Sequence, residues 1–272
     1  MNRLDNMVIK MKINIYRAYH LIFPLRLALI SVFLLGSGYS SASLAAISGL
    51  KLNNAINRAG LQRMLKSYCQ LGQDQFYIEP EKQLQGALQR FEQGLNFLKE
   101  FENVDGVKAS LQKINGFWPQ YKTLIQNKPS KANVPELVKM NEKLLTLSHQ
   151  IVLDLEKLST QELGKVVDVS GRQRMLSQRI ELFYLLRNWG FTDKYYIDEL
   201  AKARKQFTAG LKYLNSYKKN TPEIKALLAK ADKSYRLFEH SLDADNNAFL
   251  VSLTVRQLLK YMDDATSLYS KL

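Results

Sequence analysis

One short phrase occurs twice in this chain and constrains its fold more than any other feature. The first copy reads Asn57-Arg58-Ala59-Gly60-Leu61-Gln62-Arg63-Met64-Leu65, and the second reads Asp168-Val169-Ser170-Gly171-Arg172-Gln173-Arg174-Met175-Leu176. Both contain Gly-x-Gln-Arg-Met-Leu, with Gly60 and Gly171 lying 111 residues apart. A repeat of that length implies a duplicated module, with the phrase at equivalent places in two similar halves. Small residues (Ala59, Ser170) precede the glycines, and an arginine follows each glycine by three. Positions three apart share a helix face, so each copy joins a close-packing notch to a cation.

The correspondence extends further along the chain. Phe91-x-x-Gly94-Leu95-x-Phe97-Leu98 matches Phe207-x-x-Gly210-Leu211-x-Tyr213-Leu214, and Trp118 and Tyr121 match Tyr235 and Phe238. Spaced at helical intervals, these aromatics read as core filling. Helical periodicity dominates, and alternating β-rich runs are absent. The pattern predicts helices over 47–72, 80–101, 105–127, 134–158, 160–190, 193–218, 222–243 and 246–271. Pro80 suits a first helical turn, and Thr221-Pro222 pairs a capping residue with a proline start. Lys128-Pro129-Ser130 and Asn133 mark a turn. Short connections imply antiparallel neighbours, hence an all-α fold of two tandem antiparallel four-helix modules, 46–158 and 159–272. Ser159-Thr160-Gln161-Glu162 has the form of a capping box, yet apolar spacing runs on through Leu155, Leu158, Val166 and Val167. One long helix bridging the modules is the preferred reading.

Residues 1–45 are read as a segment apart. Arg3, Lys10, Lys12, Arg17 and Arg26 precede the apolar run 27–35, and small residues follow to Ala46. That order is a secretory signal cleaved near Ala45. The other reading is an uncleaved anchor, although the apolar run is short of the roughly 20 residues a span needs. The expected location is therefore periplasmic, or the inner membrane if the segment is retained. The single cysteine, Cys69, cannot close an internal disulfide and reads as a small buried hydrophobe. The whole chain carries a formal charge of +14, with 39 basic and 25 acidic residues. Such a balance favours anionic partners; no nucleic-acid-binding motif accompanies it.

Catalytic signals are thin. His149 and His240 stand alone, without the spacing of a zinc site. Asp243-x-Asp245-x-Asn247 begins like a calcium loop, but Ala248 and Thr254 replace its glycine and terminal glutamate. No phosphate-binding glycine loop or nucleophile elbow is present. The expectation is a non-enzyme without a cofactor or metal.

Ala59-Gly60-x-x-Arg63-Met64 and Ser170-Gly171-x-x-Arg174-Met175-Leu176-Ser177-Gln178-Arg179 resemble the signature of the PilJ/NarX-type sensor domain. That domain is the periplasmic part of type IV pilus chemotaxis transducers and nitrate/nitrite sensor kinases. The resemblance covers 47–272 and implies a sensory role: binding a small anion such as nitrate or nitrite and signalling through a membrane receptor or kinase partner. In the nitrate-sensing branch the anion lies between two protomers at the arginine of this phrase. By resemblance the binding positions are Arg63 and Arg174 with Gly60 and Gly171. Asn57, Asp168, Gln62, Gln173, Met64 and Met175 would support or pack around them. A homodimer could supply two copies of one arginine; the duplication could supply both from one chain. The alternative is a helical scaffold or interaction module linked to chemotaxis or type IV pili, with the phrase purely structural. Arg172 and Arg179 occur only in the second copy, where Leu61 and Tyr68 stand in the first. Asp168 in place of Asn57 would oppose an anion and could pair with an arginine.

Overall fold

Two helices, one from each half of the chain, are the most fully enclosed. In the computed structural model, residues 58–73, 77, 79–104, 106–156, 162–242 and 248–272 are described. They form eight α-helices and no strand: α1 (Arg58–Leu71), α2 (Pro80–Leu98), α3 (Val107–Gln126), α4 (Val134–Glu156), α5 (Glu162–Asn188), α6 (Lys194–Ser216), α7 (Pro222–Leu242) and α8 (Ala248–Tyr269). Single 3₁₀ turns, Lys99–Phe101 and Lys131–Asn133, follow α2 and precede α4. The fold is all-α, as the periodicity predicts. Among the described residues no helix is long and apolar enough to cross a membrane.

Local chemistry accounts for the boundaries. Pro80 opens α2 at a position where a missing N–H costs nothing. Thr221 caps α7, its Oγ1 accepting a hydrogen bond from the Ile224 amide at 3.2 Å. At the turn before α4, the Ser130 side chain accepts from the Ala132 amide at 3.2 Å. Tyr68 of α1 closes over the same turn, its hydroxyl accepting from the Ser130 amide (3.0 Å) and the Asn133 side chain (3.3 Å). The expected first-helix residues 47–57 lie outside the described residues. So do the expected leader 1–45, the expected capping box at Ser159-Thr160-Gln161 and residues 243–247. The proposed continuity of α4 with α5 falls on 157–161 and lies outside them as well.

In the first half α1 packs on α2 and α4, and α3 packs on α4. In the second, α5 packs on α6 and α8, and α7 on α8. The outer helices are amphipathic. Leu84, Ala87, Leu88, Phe91, Leu95 and Leu98 line the buried face of α2, and Tyr196, Leu200, Ala203, Phe207, Leu211 and Leu214 that of α6. Each such large side chain contributes roughly 1.5–3 kcal/mol when fully buried. The duplication is visible in three dimensions. Phe91 lies 4.5 Å from Trp118, itself 5.9 Å from Tyr121. Phe207 lies 4.4 Å from Tyr235, itself 6.2 Å from Phe238. The two halves thus build the same aromatic triad from matching positions.

The halves meet where α1 packs against α5. Lys66 contacts Glu181, the Gln73 side chain donates to the Leu185 carbonyl, and Gly72 abuts Trp189. These contacts advance together along both helices, so α1 and α5 run side by side in the same direction. That arrangement leaves both helices enclosed. From Leu61 to Gln70 of α1 only Arg63 is not buried, and Leu176–Leu186 of α5 is buried throughout. Cys69 is fully buried, and burial pushes its thiol pKa far up, matching its expected role as a hydrophobe.

Candidate anion site at the paired helices

With α1 and α5 running in parallel, Arg63 and Arg174 come close enough for each to feel the other's charge. Their surroundings differ. Arg174 is mostly buried and forms an ion pair from its Nε to Asp263 Oδ1 of α8. Arg63 is partly buried and makes no hydrogen bond or ion pair with another described residue. Its pKa is lowered to about 10. Burial is the largest cause, and Arg90 of α2 adds to it; Asp263 works the other way, Arg174 depresses it again, and Glu181 partly restores it. Arg90 is itself lowered by burial. A guanidinium still charged at neutral pH, crowded by two others, is a site where an anion would relieve repulsion.

The remaining phrase residues fall into three groups. Asn57 and the surroundings of Gly60 lie outside the described residues. Gly171 is partly buried in α5, and Asp168 pairs with Arg172 one turn along at 3.4 Å, not with Arg174. Gln62, Gln173 and Met64 are fully buried, whereas Met175 is partly exposed. Neither glutamine amide has a hydrogen-bond partner among the described residues. The Gln173 amide lies against the α6 backbone at Gly210, where a Cβ would collide with it. The glycine of the second repeated phrase therefore makes room for the glutamine of the first.

Several residues at this site escape a reading of the sequence. Lys66 and Glu181 form a fully buried ion pair at 3.2 Å between α1 and α5. Ser252 of α8 donates to Glu181 at 2.6 Å, and Gln70 donates to Ser252 at 3.4 Å. Burial lowers the Lys66 pKa, with Glu181 opposing and Arg63 and Arg256 reinforcing the shift. In the sequence Lys66 and Glu181 each stand among other polar residues, with Arg63 three before Lys66 and Arg179 two before Glu181, so neither is marked as buried. Asp263 and Arg90 give no local signal, because only tertiary packing brings them here. Asp263 is raised by burial, against the pull of Arg174 and Arg63.

On another side of α5, Arg179 bridges three helices. It donates to Glu142 of α4 through Nη1 (2.5 Å) and Nη2 (3.0 Å), and to Glu199 of α6 (2.5 Å). Burial opposes its charge, but the two carboxylates more than compensate and raise its pKa. Glu199 is also lowered on balance: burial lifts it, and bonds from Arg179 and Lys202 overcome that. A groove of about 290 Å³ runs beside this clamp, bounded by His149, Arg172, Met175, Lys202 and Gln206. Among the described residues no group of three His, Cys, Asp or Glu side chains could hold a metal.

No protein-family model matches the chain, and no curated protein and no solved structure matches it.

Proposed function

We propose that this protein is an exported, non-enzymatic sensory or binding protein that takes a small oxyanion at Arg63, with Arg174 as the second arginine. In this reading the chain is two tandem four-helix modules joined along α1 and α5, an internal counterpart of a two-protomer receptor. The anion's occupancy would be passed to a membrane partner. The observation carrying the proposal is Arg63 itself: a partly buried guanidinium next to other cations, with no counter-charge bonded to it by any described residue. Nitrate and nitrite suit such a site because their oxygens accept paired guanidinium hydrogen bonds.

A structural reading has its own support. Arg174 is already neutralised by Asp263, while Gln62, Gln173 and Met64 are packed inside. A thermal-shift series against nitrate, nitrite, phosphate and acetate at constant ionic strength separates the two. A ligand that binds only the folded form raises the melting temperature. Silence toward every anion favours the scaffold.

A further inference from the structure

The two arginines of the repeat differ in one respect that bears on how a ligand would arrive. Arg63 lacks a bonded carboxylate, whereas Arg174 holds one that belongs to the protein, Asp263 of the last helix. The pair is accessible: the Asp263 side chain is 43% exposed, against 16% for Arg174. An ion pair that water reaches holds less firmly than a fully enclosed one, and Asp263 is the solvent-facing partner here. Asp263 is also near enough to Arg63 for each charge to perturb the other. A carboxylate and a planar oxyanion offer a guanidinium the same thing, two oxygens in one plane. They must therefore compete for Arg174.

We propose that Asp263 is a tethered competitor at the anion site: an incoming oxyanion engages Arg63 first and completes its contacts by displacing Asp263 from Arg174. This rests on the anion-binding reading above and adds its regulation. Two consequences follow from the geometry. Planar oxyanions able to replace a carboxylate are favoured over chloride, which has no paired oxygens. Ligand arrival also breaks the ion pair tying α8 to α5 at this level, so occupancy is transmitted to the last helix of the chain.

The test is calorimetric titration of the full chain with sodium nitrate at constant ionic strength. It compares the wild type, Asp263→Asn, Asp263→Ala and Asp264→Asn. Asp264 is exposed and neighbours Asp263, so its substitution removes the same charge without touching the ion pair. If the competitor is seated about nine-tenths of the time, both Asp263 variants bind nitrate about tenfold more tightly than the wild type. Asp264→Asn then changes affinity by less than about twofold, the size expected of a screened surface charge. Binding by the Asp263 variants alone, with a silent wild type, would be the strongest form of the same result. Equal or weaker binding by the Asp263 variants overturns the competitor while leaving the anion site standing. An equal gain from Asp264→Asn reduces the effect to general charge and also overturns it. Silence from every form removes the anion site itself, and the competitor with it.

Discussion

Lys66 and Glu181 place two opposite charges where water cannot reach them, at 2% and 0% exposure. Removing one partner strands the other, which costs about 3–5 kcal/mol, whereas replacing both with apolar groups of similar size is often neutral. Lys66→Met should therefore destabilise the fold strongly, and Lys66→Met/Glu181→Leu should recover most of the loss in urea unfolding. The sign of the pH effect follows from the lowered Lys66 pKa. The unfolded chain holds that proton more tightly, so Lys66 makes stability rise with pH as it passes from the folded pKa toward the ordinary lysine value. Arg63 is faced by Arg90 of α2, Arg174 and Glu181 of α5 and Asp263 of α8, and its pKa is about 10. Anion-dependent stabilisation should hold level from neutral pH upward and decline as pH passes about 10, where Arg63 loses its proton. A melting series with and without nitrate reads this directly.

The boundaries of the helices were legible in the chain because capping chemistry is local. Thr221 bonds the Ile224 amide as its Thr-Pro context predicts, and Thr221→Ala should cost about 1 kcal/mol in denaturant unfolding. Packing between helices was legible only where both partners carried a repeated mark. Gly210 and Gln173 each stand in a duplicated phrase, yet nothing in the spacing ties one to the other. Their contact is a property of α5 lying on α6. Gly210→Ala would force a methyl into the Gln173 amide, an overpacking cost of about 1–3 kcal/mol. Shortening the partner should relieve it, so Gly210→Ala/Gln173→Ala is expected to be less destabilised than the sum of its single variants. The enclosure of α1 and α5 also hid their roles. An outer helix shows one apolar stripe, as α2 and α6 do; α1 shows one too but buries its polar face as well, and α5 shows none. The buried polar residues of α1 and α5 look like surface residues until the partners are known.

At the scale of the molecule, the repeat in the sequence predicts matching packing in the two halves, and the aromatic positions it pairs do form matching clusters. The chemistry diverged where the structure did not. Arg174 has Asp263 as a counter-charge, Arg172 and Arg179 have no arginine counterpart in the first copy, and Arg63 makes no ion pair with another described residue. That asymmetry was half visible in the sequence, through Asp168 against Asn57. The decisive residue, Asp263, lies 89 positions beyond Arg174 and is brought in only by the packing of α8 on α5. The measurement that bears most directly on the account is the melting temperature of the wild type and Arg63→Ala across a nitrate titration at fixed ionic strength. A saturable rise is expected in the wild type and none in Arg63→Ala. An equal rise in both would contradict the anion site at Arg63.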